Sequence, residues 1–191
     1  LDAGEGSDVI YAGNGDDIVF AGMGEDLIIG GSGLGEDNYD GGEGIDTIKY
    51  TSAEAGIIVD LEMGYASSAL PQEDSLIGYD SISNVENIIS GYYDDLITGN
   101  DSNNDLYGNA GNDQIEGKLG NDILSSGLGS DVLDGDGGND VINLTADAVW
   151  SDEFQALNVS NDENIGTNIR VSLTGFNRFS DVIDGGSGID I

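Results

Sequence analysis

A nine-residue rhythm constrains this chain more than any other feature. Between Gly108 and Asn143 it reads GNAGNDQIE, GKLGNDILS, SGLGSDVLD, GDGGNDVIN. Glycine returns at the fourth place and aspartate at the sixth (Asp113, Asp122, Asp131, Asp140). An aliphatic residue returns at the eighth (Ile115, Leu124, Leu133, Ile142). Nine residues are too few for a helical hairpin repeat. They suit one tight loop and one short strand, two repeats per turn of a coil. Glycine permits the loop conformations. The strand half turns its eighth-place side chain inward and its seventh and ninth outward. The expected fold is therefore all-β: a parallel β-roll, or β-solenoid, with two sheets around a thin aliphatic core.

The loops also carry a chemistry. Backbone carbonyls from glycine-rich turns, joined by aspartate carboxylates, are the hard oxygen donors that calcium takes in six- to eight-fold coordination. Rows of several calcium ions along the turns are the expectation. Aspartates in this register must otherwise repel one another. The chain has 38 acidic and 4 basic residues, a net charge of −34. Totals of that kind describe a solvated, disordered polymer, and without metal that description is expected to hold. With metal, the acids in register point to a folded coil. No His or Cys occurs, so zinc sites and histidine-based catalysis are excluded within this sequence. The charge also excludes a nucleic-acid partner. No apolar run approaches membrane-spanning length and no signal peptide is visible. The chain opens inside one repeat and closes inside another. It is therefore read as part of a longer protein, with flanking domains and any export signal lying elsewhere.

Five segments follow from the rhythm. The first repeat block, 3–49, has sixth-place acids Asp8, Asp17, Asp26, Asp37 and Asp46 and inward residues Ile10, Val19, Ile28, Tyr39 and Ile48. Gly30 and Gly31 are a two-residue insertion within it. Val9, Tyr11, Ile18, Phe20, Leu27 and Ile29 fall on outward places. They are expected to pack under the inserted segment or a neighbouring domain, with a ligand face as the alternative. The rhythm stops over 50–89, where GIIVDL and NVENII read as strands flanking a loop at Pro71, leaning on the coil. It resumes over 90–143 with Asp95, then Asn104 in an aspartate place. A neutral amide ligates more weakly, so a missing or low-affinity ion is expected there. A second interruption, 144–180, holds Trp150, Asp152, Phe154, Arg170 and Arg178, and RVSLTGF alternates like a strand. Segment 181–191 returns to the repeat with Asp181 and Asp190. A solenoid makes pockets where its repeat breaks. Those five residues are therefore the candidate ligand site for a peptide or glycan, unless the aromatics only plug the core and the arginines pair with nearby acids.

Single GGxGxD matches are common; many in frame are specific. The repeats resemble the calcium-binding nonapeptides of RTX proteins, which Gram-negative bacteria export by type I secretion. The segment DTIKYTSAEAGIIVDL looks like a recurrent non-repeat insert of RTX domains, and VWSDEFQALNVSN is similar to a stretch near the distal end of very large RTX adhesins. The resemblance implies that each ion sits between loops two repeats apart, pairing Asp17 with Asp37, Asp113 with Asp131 and Asp122 with Asp140, with the insertion before Ser32 weakening the first. It also implies a secreted, cell-surface-associated module of a biofilm-type adhesin. A non-catalytic accessory module of a carbohydrate-active enzyme is the alternative. No catalytic role is expected: acid pairs such as Asp94–Asp95 arise by chance in so acidic a chain.

Overall fold

The structure, a computed structural model, describes residues 1–30, 35–69, 77–145, 158–159 and 182–188. Its strands alternate between two sheets. One carries β1 (Asp2–Glu5), β3 (Ile18–Gly24), β5 (Asn38–Gly44), β7 (Ile57–Asp60), β8 (Tyr65–Ser68), β9 (Tyr79–Ser83), β11 (Leu96–Thr98), β13 (Gln114–Glu116), β15 (Val132–Asp134), β17 (Asn158–Val159) and β18 (Val182–Asp184). The other carries β2 (Val9–Tyr11), β4 (Leu27–Ile29), β6 (Thr47–Lys49), β10 (Asn87–Ile89), β12 (Asp105–Tyr107), β14 (Ile123–Ser125) and β16 (Val141–Asn143). Pairing is parallel between strands two repeats apart, as in Ile115 beside Leu133 and Leu124 beside Ile142. This is the all-β parallel β-roll that the nine-residue rhythm requires.

The three-residue strands follow a single burial pattern, with the middle side chain inside and its neighbours out. Ile10, Val19, Ile28, Ile48, Ile97, Leu106, Ile115, Leu124, Leu133 and Ile142 are buried and form one continuous core. One inward aliphatic side chain per repeat contributes about 1.5–3 kcal/mol, which is little against the entropy of ordering nine residues. The core alone therefore leaves each repeat marginal.

The interruption is built into the wall rather than laid over it. Strand β9 stacks parallel on β5, β7 stacks parallel on β11, and β8 bridges them with antiparallel pairing on both sides. The first sheet thus gains strands at a level where β6 and β10 remain direct neighbours in the second. Larger side chains fill this level: Tyr39, Tyr50, Ile57, Val59, Ala66, Ile82, Val85 and Ile88 are buried. The Tyr50 hydroxyl donates to Asp80 Oδ2 at 3.0 Å and the Tyr39 hydroxyl to Asp37 Oδ2 at 2.6 Å. Burial and the nearby Asp80 charge push the Tyr50 hydroxyl well above its usual range, so it stays a donor. Replacing Tyr50 by Phe strips a buried carboxylate of that donor. A loss of about 1–3 kcal/mol in calcium-saturated urea unfolding is expected.

The outward apolar residues of the first block are not covered by the described part of the interruption. Val9, Tyr11, Ile18 and Phe20 are exposed, while Leu27 and Ile29 are half-buried. The described strands of the interruption pack edge to edge within the first sheet, away from the outer faces of β2 and β3. Among the described residues no helix is long and apolar enough to cross a membrane.

Candidate metal centre

Each sixth-place aspartate opens a strand, so two repeats later the next one stands directly over it. The carboxylates use that stacking in one consistent way. Oδ1 of Asp26 accepts the Asp8 amide at 2.7 Å, and Oδ1 of Asp46 accepts the Asp26 amide at 2.8 Å. In the second block Asp113 accepts from Asp95 at 2.9 Å, Asp131 from Asp113 at 2.9 Å and Asp140 from Asp122 at 2.8 Å. The two-residue insertion is absorbed without breaking the ladder, since the Asp17 amide still donates to Asp37 Oδ1 at 2.8 Å.

On several sixth-place aspartates the second oxygen is left over. Oδ2 of Asp8, Asp17, Asp26, Asp46, Asp113 and Asp122 is buried with no hydrogen-bond partner. A buried anionic oxygen without a donor or counter-charge costs several kcal/mol, so such an atom calls for a cation. Backbone geometry keeps room for one. An ideal Cβ on first-place Gly108 or Gly117 would stand 2.5 Å from Oδ2 of Asp113 or Asp122. Fourth-place glycines stack backbone on backbone: Gly129, at φ +141°, lies against the Gly111 carbonyl, and Gly138 lies against the Gly120 carbonyl. Among the described residues no three acidic side chains converge. A cation here would therefore draw on one or two carboxylates and several carbonyls, the donor set that suits calcium.

Burial also resists ionisation in the metal-free fold. It pushes Asp113 up to about 8 and Asp122 up to about 6, and it raises Asp46 and Asp95 as well. Folded pKa values above the unfolded value of 3.8 mean that the fold binds the proton more tightly than the open chain. Their stabilising contribution is complete below about 4 and is lost as pH rises toward 8. In chelator, the far-ultraviolet sheet signal is expected to grow as pH falls from 8 to 5; a signal that shrinks over that interval contradicts the buried-carboxylate account.

Not every sequence-predicted acid carries an unmet oxygen. Asp37 and Asp95 are buried with both oxygens bonded: Asp37 by the Asp17 amide and the Tyr39 hydroxyl, Asp95 by the Ile57 and Gly91 amides. Asn104 is buried as well; its Oδ1 accepts the Asn100 amide and its Nδ2 donates to the Glu86 carbonyl. Asp181, Asp190, Trp150, Asp152, Phe154, Arg170 and Arg178 lie outside the described residues.

Three features escaped the sequence reading. Asp80 is a sixth-place residue inside the interruption, accepting the Asp37 amide at 3.2 Å. Its signal is the spacing Gly78, Asp80, Ile82, one repeat core without its leading glycines. Glu86 holds the same place before β10, accepting the Asp46 amide at 2.9 Å. Finally, fifth-place side chains form an exposed second ladder: the amides of Asn112, Asn121, Ser130 and Asn139 donate to the side chains of Asp94, Asn103, Asn112 and Asn121. The recurrence of Asn, Asp or Ser every eighteen residues was its trace in the sequence.

Comparison with known families matches residues 2–34, 83–115 and 116–148, just over half the chain, to the RTX calcium-binding nonapeptide repeat in four copies. Comparison with curated proteins returns no match. Unmet buried carboxylate oxygens, stacked glycine carbonyls and the matched repeats agree, and the chain belongs to the RTX calcium-binding nonapeptide repeat family, whose repeats bind several calcium ions per domain.

Proposed function

We propose that this chain is a calcium-folded module of a secreted bacterial RTX adhesin. Its repeat blocks are kept unfolded for type I export and fold outside the cell. There it serves as a stiff extender or presents a peptide- or glycan-binding surface on a Gram-negative cell. The observation that carries this reading is the set of buried Oδ2 atoms on Asp8, Asp17, Asp26, Asp46, Asp113 and Asp122.

These side chains, with the carbonyls of the stacked fourth-place glycines, would hold the ions. In the same reading 3–49 and 90–143 are the metal-holding blocks, 50–89 and 144–180 interrupt them, and 181–191 resumes the repeat. Two carboxylates about 4 Å apart repel by roughly 1 kcal/mol even at the dielectric of water, and by more in a partly buried loop. Bound calcium supplies the positive charge that turns this repulsion into attraction. Extracellular modules of this type bind at roughly 10⁻⁴–10⁻³ M. Cytosolic calcium then leaves the carboxylates repelling and the repeat blocks open, whereas millimolar calcium outside lets them converge.

A glycan and peptide array probed with the full chain, with and without calcium, tests the adhesin role. Calcium-dependent binding to a surface glycan or peptide is the expected result. Binding confined to one acidic polysaccharide favours an accessory module of a carbohydrate-active enzyme instead.

A further inference from the structure

The unmet carboxylate oxygens fall into two groups separated along the roll. Asp8, Asp17, Asp26 and Asp46 lie on one side of the inserted hairpin, and Asp113 and Asp122 lie on the other. Between them, Asp37, Asp80, Asp95 and Asn104 are closed by the protein itself. The Tyr39 hydroxyl takes the Asp37 oxygen that would otherwise face a cation. Asp80 receives the Asp37 amide on one oxygen and the Tyr50 hydroxyl on the other. Asp95 clamps the start of β7 through the Ile57 amide at 2.8 Å and holds Gly91 at 3.1 Å. Asn104 replaces an anion with an amide whose Nδ2 finds acceptors on Glu86 at 2.8 Å and Asn100 at 3.1 Å. Both rows of turns are therefore interrupted at the same level. Asp37 and Asp95 precede strands of the first sheet, Asp80 lies in its strand β9, and Asn104 precedes β12 of the second.

That level is also where the core is thickest. Two fully buried tyrosines, each with an area of about 150–250 Å², join Ile57, Val59, Ala66, Ile82, Val85 and Ile88. The strand pairs β7–β8 and β8–β9 are local and antiparallel. Short-range pairing forms at lower loop-closure cost than stacking across eighteen residues. Neither hydrogen bonds nor packing at this level asks for a cation.

We propose that the chain carries two separate calcium arrays, one on either side of a metal-independent waist centred on Asp37, Asp80, Asp95 and Asn104, and that this waist stays folded when calcium is removed. The proposal rests on the calcium-folding reading above and adds to it where the ions are not. The waist then acts as the template from which each array grows in its own direction, as in other one-dimensional repeats. The arrays are chemically insulated from each other, since no unmet carboxylate bridges them.

Amide hydrogen exchange on the full chain, in chelator and in saturating calcium, separates the possibilities. In calcium, amides of all the described strands should exchange slowly. In chelator, Val59, Ala66, Ile82 and Ile88 should stay protected by at least about 100-fold over Ile28, Ile115 and Leu124. Equal, fast exchange of both groups in chelator overturns the waist and leaves calcium folding standing. Slow exchange of Leu124 in chelator overturns both. A second variant tests the site assignment directly. Asn104→Asp places an anion where the amide closes the turn, so calorimetric titration with calcium alone should find one more ion per chain. An unchanged stoichiometry overturns the assignment at that turn.

Discussion

Replacing Asp122 by Ala is expected to raise the calcium concentration at the folding midpoint by about tenfold and to loosen the coils on either side. Two separate losses add. The Asn104 amide loses its acceptor at 2.8 Å, leaving a buried donor at a cost of about 1–3 kcal/mol. The buried Oδ2 disappears with it, and so does a metal ligand. Every 1.4 kcal/mol is a factor of ten in affinity, so the first loss alone reaches the expected shift. Asp122→Asn separates the two. It keeps an oxygen for the Asn104 amide but removes the anion, so it should hold the ladder while lowering the number of ions bound. Asp105, on an outward place of β12, serves as the control, and Asp105→Asn should leave the midpoint where it was. Circular dichroism during calcium titration reads all three.

A larger effect is expected from a single methyl group. Gly129→Ala puts a Cβ onto the Gly111 carbonyl oxygen, with the backbone held at φ +141°. The clash is with stacked backbone, which cannot step aside without opening the coil. Strained backbone alone costs about 1–3 kcal/mol. With the steric overlap, a total of about 3 kcal/mol or more is expected, a shift in calcium midpoint of roughly a hundredfold. Gly15→Ala, also at a fourth place, is the matched comparison: φ is +93° and nothing lies within 4 Å of the added Cβ. That variant should show only the conformational cost. If the two glycine variants behave alike, close stacking of the turns is not what fixes glycine at the fourth place.

The sequence made the repeating parts legible because they are periodic. Which side chains enter the core followed from position eight alone, and Ile115, Leu124, Leu133 and Ile142 are all buried. The ion followed from glycine and aspartate in fixed register, and the family from the resemblance that those repeats carry. What periodicity does not encode was harder to see. Asp80 performs the ladder role in a segment with no complete nonapeptide, and its partner Asp37 is 43 residues away. Only the docking of β9 on β5 brings them together. Glu86 was hidden by its longer side chain, which reaches the same amide from a non-aspartate residue. Strand β8 shows no alternation strong enough to announce that it would reverse direction inside a parallel wall. The exposure of Val9, Tyr11, Ile18 and Phe20 also depends on where the interruption docks, which no local pattern states.

Position six carries two meanings that sequence cannot separate. Asp37 and Asp113 are the same residue at the same place in the rhythm. One is closed by a tyrosine hydroxyl two residues away, and the other keeps an unmet oxygen. The difference lies in the eighth place, where Tyr39 replaces an aliphatic residue. An inward place in the rhythm says nothing of a hydroxyl that closes the turn.

The central claim is that calcium, more than the thin aliphatic core, gives the repeat blocks their shape. Small-angle scattering of the full chain, recorded with far-ultraviolet circular dichroism as calcium replaces chelator, tests it most directly. The account predicts that the radius of gyration contracts and the sheet signal grows over the same calcium range. A radius and a spectrum unchanged between chelator and millimolar calcium would contradict it.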